Sequence, residues 1–493
     1  MAESPVPDRV MSFQGGLTLP AVRGMAEFVK KHYLDPNLDA LEGGSYTESW
    51  SSDQASVELG WGFSPPANAG QLEPLRGKSV ALEISAASAA VRFQGLDPSD
   101  AAGARACTRV ADDVEVVVDM FLSKAKTTSL YFIFSTGEDG SVRDAPAEVG
   151  GDALRRLLSG NMTNLYLLIM ALSFGLFFVL GDYAIFAVLD IQLLSLFYSD
   201  RIALLVGKVR PTRERPLVTM VCVPVSAEMK GEVARFSKTI ISDVSDRLES
   251  KVTREALAGS GAAEAIHGVL ASAGIRSSAA EIKVVTRDVY GIVKGVADRF
   301  GLPVPRITIV NSVADNAAAT GVSPSRSSIT ITAGSIEDLP DPELSAVVGH
   351  ELGHILGRDS LILFAATFIL YVGGFYVWLP VLISLGLFYY LLVFAVIFAI
   401  GKVLETRADT ESAAKLGEPG TLASALSNIG FRQLYVERYS HRARFLDWLS
   451  FDPHPPMYFR VERLSKLAAN GRKVGNTLLV SLRDCISGFL ASL

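Results

Sequence analysis

The stretch that decides the fold is GHELGHILGRDSLILFAATFILYVGG, Gly349 to Gly374. Its first half has the makings of a polar metal site and its second half those of a membrane span, with only a handful of residues between them. His350, Glu351 and His354 form the pattern His-Glu-x-x-His. Residues four apart stack on one helix face, so two imidazoles can bind one ion from the same side. The Glu beside the first His projects toward the ion's open position, where it can take a proton from bound water. Asp341 as N-cap, Pro342 at the first helical position and Leu344, Val347, Val348, Leu352 and Ile355 at helical spacing predict a helix here. The chain has only six histidines in 493 residues, which makes a chance match on a surface helix a poor alternative. A His and carboxylate set without thiolates favours zinc over magnesium or calcium, with one ion per chain.

A catalytic zinc needs a third protein ligand. The block Leu361 to Gly401 has no charged residue, and at ~20 residues per crossing it holds two helices, with a turn near Trp378 to Pro380. If it is an antiparallel hairpin, its ends emerge ~8–10 Å apart. That would bring Glu405, just after the block, toward the histidine pair just before it; Glu411 and Asp409, one to two turns further on, are the alternatives. Asp409 and Asp359 are also placed to accept the free ring N–H of a metal-bound imidazole, or else are ordinary helix-end charges.

Outward from this region, Met162 to Leu180 is long enough for a span, and Tyr183 to Ser199, interrupted by Asp190, is a shorter second one or an interfacial helix. Arg155 and Arg156, the group Arg201, Lys208, Arg210, Arg213 and Arg215, Arg358, and Lys402 with Arg407 flank the two apolar blocks. All lie on one side of an even number of spans, so the positive-inside rule places the aqueous parts in the cytoplasm. Between the blocks, EMKGEVARFSKTIISDVSDRLES and AAEIKVVTRDVYGIVKGVADRFG read as amphipathic helices, and PRITIVNS and SSITITAG as two strands. Residues 1 to about 75, rich in Gly, Pro and Ser, read as loose with one helix in AVRGMAEFVKKHY. SVALEIS and TSLYFIFS read as strands, and the segment between them, DAAGARACTRVADDVEVVVDMFLSKA, fits helix or strand.

Bulk properties agree. Hydrophobic residues make up 49% and charged residues 20%, a mixture that fits a few spans joined to aqueous domains. Mean hydropathy is +0.31. A net charge of −6 gives no nucleic-acid footprint. The three cysteines, Cys107, Cys222 and Cys485, lie far apart and suggest reduced thiols, and the first residues have no secretory pattern.

DPELSAVVGHELGHILGRD, then an apolar hairpin, then LETRADTESAAKLGEPGTLASALSNI, resembles the HtpX-like integral-membrane zinc metallopeptidases, relatives of the CAAX prenyl proteases. DNAAATGVSPSRSSITITAGSIEDL upstream and FDPHPPMYFRVERL downstream resemble two further elements of that family, so the likeness covers roughly 280 to 470 in detail. It implies that His350, His354 and Glu405 bind zinc, that Glu351 is the general base and that Asp409 supports the ligands. It also implies that Asn316 lies beside the substrate strand and that His454 helps stabilise the oxyanion, against a purely structural histidine in a Pro-rich turn. SSITITAG would pair with an extended substrate. Ala318, where the family often has an aromatic, and Asp452 depart from the pattern.

The expected fold is a mainly α membrane protein: two transmembrane helical hairpins, about four spans, with a cytoplasmic zincin-like α+β catalytic domain and an extra N-terminal α+β domain. The boundaries are 1–150 for the N-terminal domain, 151–200 and 361–401 for the hairpins, and 201–360 with 402–493 for the catalytic domain. The expected function is a membrane-embedded zinc endopeptidase of the cell or inner membrane, cleaving misfolded or membrane-associated proteins at the cytoplasmic face in quality control. Its partners are protein or peptide substrates and the lipid bilayer, not nucleic acid. The alternatives are a CAAX-type processing protease and a membrane scaffold with a vestigial zinc site.

Overall fold

The computed structural model describes residues 9–13, 17–51, 56–65, 70–95, 100–127, 129–136, 172, 175–176, 178–207, 209–224, 262–272, 282–312, 314–376, 387–470 and 475–493. The chain divides into two compact units, Met1–Phe132 with Val221–Val285 and Ile133–Met220 with Thr286–Leu493.

The first unit carries β1 (Arg9–Ser12), α1 (Leu19–Val29), β2 (Thr47–Ser51), β3 (Ser56–Gly62), β4 (Ser79–Ile84), β5 (Ser88–Gln94) and α2 (Ala101–Thr127). The strands form an antiparallel sheet of order β1-β5-β4-β3-β2. Strict alternation along β4 turns Val80, Leu82 and Ile84 inward, where they meet Val22, Met25 and Val29 of α1 and Val110, Val114 and Val118 of α2. The segment that fits helix or strand is thus a 27-residue helix. Residues up to about 75 are not loose: α1 and three strands lie there. The reason the strands are hard to read is that β2, TESWS, is an edge exposed along most of its length, so its composition is that of a loop.

β6 (Ser129–Thr136), β7 (Leu217–Pro224) and β8 (Lys283–Asp288) form a sheet of that order, and the boundary between the two units falls within its strands. β8 corrects the helix expected over IKVVTRD: the helix begins only after Asp288, whose side chain accepts a hydrogen bond from Gly291 N. Between β6 and β7 lie α3 (Ala184–Phe197) and α4 (Ser199–Val206); α5 (Ala262–Ser272) precedes β8.

In the second unit α6 (Val289–Phe300) leads to β9 (Arg306–Val310), β10 (Ala317–Ser323), β11 (Arg326–Thr332), α7 (Ala333–Asp338) and α8 (Asp341–Gly357). The three strands form a mixed sheet of order β10-β11-β9, parallel between β11 and β9. α9 (Asp359–Tyr376), α10 (Leu387–Leu416), α11 (Pro419–Ile429), α12 (Phe431–Tyr439), α13 (His441–Leu449), α14 (Met457–Asn470) and α15 (Thr477–Ser492) follow. α8 is the central helix, with Leu344, Ala346, Val347, Val348, Leu352 and Ile355 all buried. Asp341 is its first residue rather than its cap, and pairs with Arg287 at 3.4 Å.

Among the described residues no single helix is long and apolar enough to cross a membrane. α8 and the first part of α9 pass that test only as a pair bent by 49°, and α8 is buried in protein. Most of Met162 to Leu180, the turn expected near Trp378 to Pro380 and the helix expected over 228–250 lie outside the described residues. α3 is 14 residues long, too short for an upright crossing.

α14 is started by a distant carboxyl group. Glu437 of α12 is fully buried and accepts hydrogen bonds from Met457 N at 3.0 Å and Tyr458 N at 2.6 Å, in the first turn of α14. Burial pushes its carboxyl up to about 7 against those two donors, and a hydrogen bond with Asp447 adds to the rise. A pKa raised above the ordinary 4.5 means that the folded chain holds this proton more tightly than the unfolded one. The stability it contributes is full below about 4.5 and is lost as pH rises through about 7. The thermal midpoint of Glu437→Gln, measured across that window, is expected to fall less with rising pH than that of the unaltered chain.

Candidate metal centre

Gly349, Gly353 and Gly357 recur every four residues through the motif and line one face of α8. α10 lies in the groove they leave. A Cβ on Gly353 would sit 3.0 Å from Ala408 Cα and 3.1 Å from its carbonyl oxygen. One on Gly349 would sit 2.7 Å from the side chains of Ser412 and Leu416. Ser412 Oγ donates to Ala346 O at 3.0 Å and holds the pair together. Because backbone yields less readily than side-chain ends, Gly353→Ala is expected to cost about 1–3 kcal/mol in thermal unfolding and Gly349→Ala less. This close approach is what lets a residue on α10 reach the two histidines of α8.

His350 Nε2 lies 3.2 Å from His354 Nε2 and 3.2 Å from Glu405 Oε2, and His354 Nε2 lies 3.4 Å from Glu405 Oε1. One ligand atom from each residue falls within 4.8 Å of the others, the one such group among the described residues. Of the three residues weighed as third ligand, Glu405 is the one brought there. Asp409 faces the back of His350, and Glu411 accepts a hydrogen bond from Thr477.

The cluster fits a metal on its own chemistry. His354 Nδ1 is 2.7 Å from Asp359 Oδ2, and His350 Nδ1 is 2.8 Å from Asp409 Oδ1, though the angle at the His350 ring falls short of a straight hydrogen bond. Carboxylates on both Nδ1 atoms place the ring protons there and turn both Nε2 lone pairs toward each other and toward Glu405. Glu405 Oε2 is buried there without a hydrogen-bond donor. Three converging lone-pair sites repel one another unless a cation sits between them, and two imidazoles with one carboxylate suit zinc.

Beside the cluster is a cavity of about 420 Å³, walled in part by His350, Glu351, Asn316, His454 and Arg460. Glu351 is buried and accepts a hydrogen bond from Ala319 N at 2.6 Å. Ala319 belongs to β10, an edge strand of its sheet among the described residues. This corrects the strand expected to receive substrate: SSITITAG is β11, paired on both sides, so an added strand would lie against an edge, and β10 is the edge that meets Glu351. NAAATGVS escaped notice because its small residues carry little strand propensity.

Comparisons with known proteins agree with this site. The profile of peptidase family M48 matches residues 284–468. A protease HtpX homolog of Acaryochloris marina is 30% identical over 211 residues, covering 36% of this chain and 71% of that protein. One from Nostoc punctiforme is 32% identical over 211 residues, covering 36% and 72%. The chain belongs to peptidase family M48. It is an HtpX-like metallopeptidase. The crystal structure of S. mikatae Ste24p covers 74% of this chain and 76% of its own at 14% identity, with a TM-score of 0.28, too slight a likeness to bear on the fold.

The M48 centre is braced by two arginines that sequence reasoning missed. Arg407 donates to both oxygens of Asp359 at 2.8 Å and to Gly353 O at 2.9 Å. Arg460 grips Asp409 at 2.9 and 2.7 Å and lies 3.9 Å from Glu405. Each histidine is therefore backed by a carboxylate, and each carboxylate by a buried guanidinium. Burial would raise the Asp409 pKa, but the Arg460 charge overcomes it and holds the carboxylate ionised. Burial would lower that of His350, yet Asp409 and then Glu405 raise it to about 10, as two carboxylates calling for a cation would. Arg358, at φ +54°, ends α8 in a left-handed turn that starts α9 at Asp359, back toward His354. Asp359→Asn and Asp409→Asn are each expected to weaken zinc binding ~10–100-fold in chelator competition.

Arg407 is only 7% exposed, so it is not the flanking headgroup charge that the topology argument took it for. Lys402 is buried too, donating to Ser450 O at 3.1 Å and to Asp452 O. That grip fixes the loop bearing His454. Asp452 Oδ1 accepts from His454 N at 2.8 Å and lies 2.7 Å from its Nδ1, which leaves Nε2 3.7 Å from Glu405 Oε1. Asn316 is placed through its backbone, bonded to Thr332 and Ser335, and is one of the residues lining the cavity.

Proposed function

We propose that this M48 metallopeptidase is a zinc endopeptidase that takes extended protein segments along β10, with the block Leu361 to Gly401 crossing a bilayer and the centre at its cytoplasmic face. The observation that carries the proposal is the convergence of His350, His354 and Glu405 beside Glu351 in one cavity. Zinc held by those three residues would supply Lewis acidity toward water and the scissile carbonyl. Glu351 takes the proton of the attacking water and returns it to the leaving nitrogen. Its reach to Ala319 N supports this role, because a substrate backbone paired with β10 would pass the same carboxylate. His454 Nε2 and the Asn316 side chain flank the cavity as donors for the oxyanion.

His354 and Leu361 are only seven residues apart, across the bend at Arg358, so the centre would lie near the membrane plane, suited to misfolded or membrane-associated substrates in quality control. The test is to express Glu351→Gln in its native membrane and identify what stays bound. Recovery of unfolded or membrane proteins on the variant, absent from Glu351→Gln carrying His350→Ala as well, supports the proposal; identical sets on both contradict it.

A further inference from the structure

α15 runs antiparallel to α10. Thr477 Oγ1 donates to Glu411 at 2.6 Å, Ser481 Oγ lies 3.1 Å from Thr410 Oγ1, and Cys485 Sγ lies 3.1 Å from Thr406 Oγ1. This direction carries the rest of α15 alongside the part of α10 that precedes Lys402, which is the uncharged block. At helical rise Leu493 lies ~12 Å beyond Cys485. α13 arrives at the same level: Phe451, just past its end, packs against Phe398 and Phe394 of the block with ring centroids 5.7 and 6.3 Å apart.

Both segments turn an apolar side outward at that level. Leu446, Leu449 and Phe451 in and after α13, and Ile486, Leu490 and Leu493 in and after α15, are each 50–70% exposed. About one turn back along each helix is an exposed arginine, Arg442 before Leu446 and Arg483 before Ile486. The two helices pack through Phe489 against Phe445 and Trp448. Although Leu479 and Leu482 continue the apolar side of α15 back past Arg483, apolar ends with a cation one turn back match the boundary between acyl chains and anionic headgroups.

We propose that α13 and α15 form a collar that seats this protein in the interface of a lipid bilayer, its six apolar side chains among acyl chains and Arg442 and Arg483 on phosphate headgroups. The collar rests on the proposal that Leu361 to Gly401 crosses the bilayer. Through Thr406 and Thr410 it would fix the height of α10, and with it Glu405, above the membrane.

The test places a photoreactive benzophenone amino acid at Ile486, at Leu392 in the block, or at Lys466 on the exposed side of α14, in the full chain. Each variant is held in nanodiscs of phosphatidylcholine and phosphatidylglycerol, and adducts are read by mass. The expected result is lipid adducts at 486 and 392 in similar yield and none at 466. Adducts at 392 but not 486 overturn the collar and leave the membrane proposal standing. Adducts at neither overturn both. A crosslink from 486 to a second copy of the chain in place of lipid also overturns the collar.

Discussion

Glu351→Gln is expected to keep one zinc per chain while slowing peptide-bond cleavage by roughly 10²–10⁴-fold, the range that a positioned acid-base group supplies. The substitution is nearly isosteric, and the amide still accepts the Ala319 N–H, so β10 and the cavity keep their shape. What is lost is a group able to take a proton. Glu351 is not among the three residues whose ligand atoms converge, which is why metal content and rate are expected to separate. Metal analysis and turnover on one preparation check both halves. Loss of zinc together with activity would assign Glu351 a ligand role instead.

Arg460→Leu is the second large effect, and its first readout is stability. Asp409 is 1% exposed, and Arg460 provides two of its hydrogen bonds and a full positive charge. Removing the guanidinium leaves a buried anion unpaired, at a cost of about 3–5 kcal/mol, or a thermal midpoint lower by ~5–8 °C in a unit of this size. Adding Asp409→Asn removes the stranded charge and is expected to restore much of that midpoint. Zinc affinity should stay low in the double variant, because an amide backs the His350 ring more weakly than a carboxylate. A midpoint unchanged by Arg460→Leu would show that the pair contributes no net stability.

How much of this was legible in the sequence depends on whether a residue's partners are near in the chain. The histidines sit four apart on one helix, and Asp359 follows five residues after His354, so local geometry exposes all three. Glu405 was reached because an uncharged block long enough for two helices implies that its ends meet. Arg407 and Lys402 carry the same letters as solvent-facing charges, and only the fold shows that they are buried against Asp359 and the Ser450–Asp452 carbonyls. The glycines in GHELGHILG are in plain view, but only the position of α10 shows that they form a groove. β10 and β2, built from small or polar residues, gain their strand character from register with β11 and β3, which no single segment encodes.

The most direct test of the centre is cleavage of an unfolded protein by the purified full chain, followed with its zinc content as prepared, after chelation, and after zinc is returned. Cleavage that disappears with the metal and comes back with one zinc per chain, and that never appears in Glu405→Ala, is the predicted result. Cleavage at full rate by the metal-free chain, or by Glu405→Ala, would contradict the account.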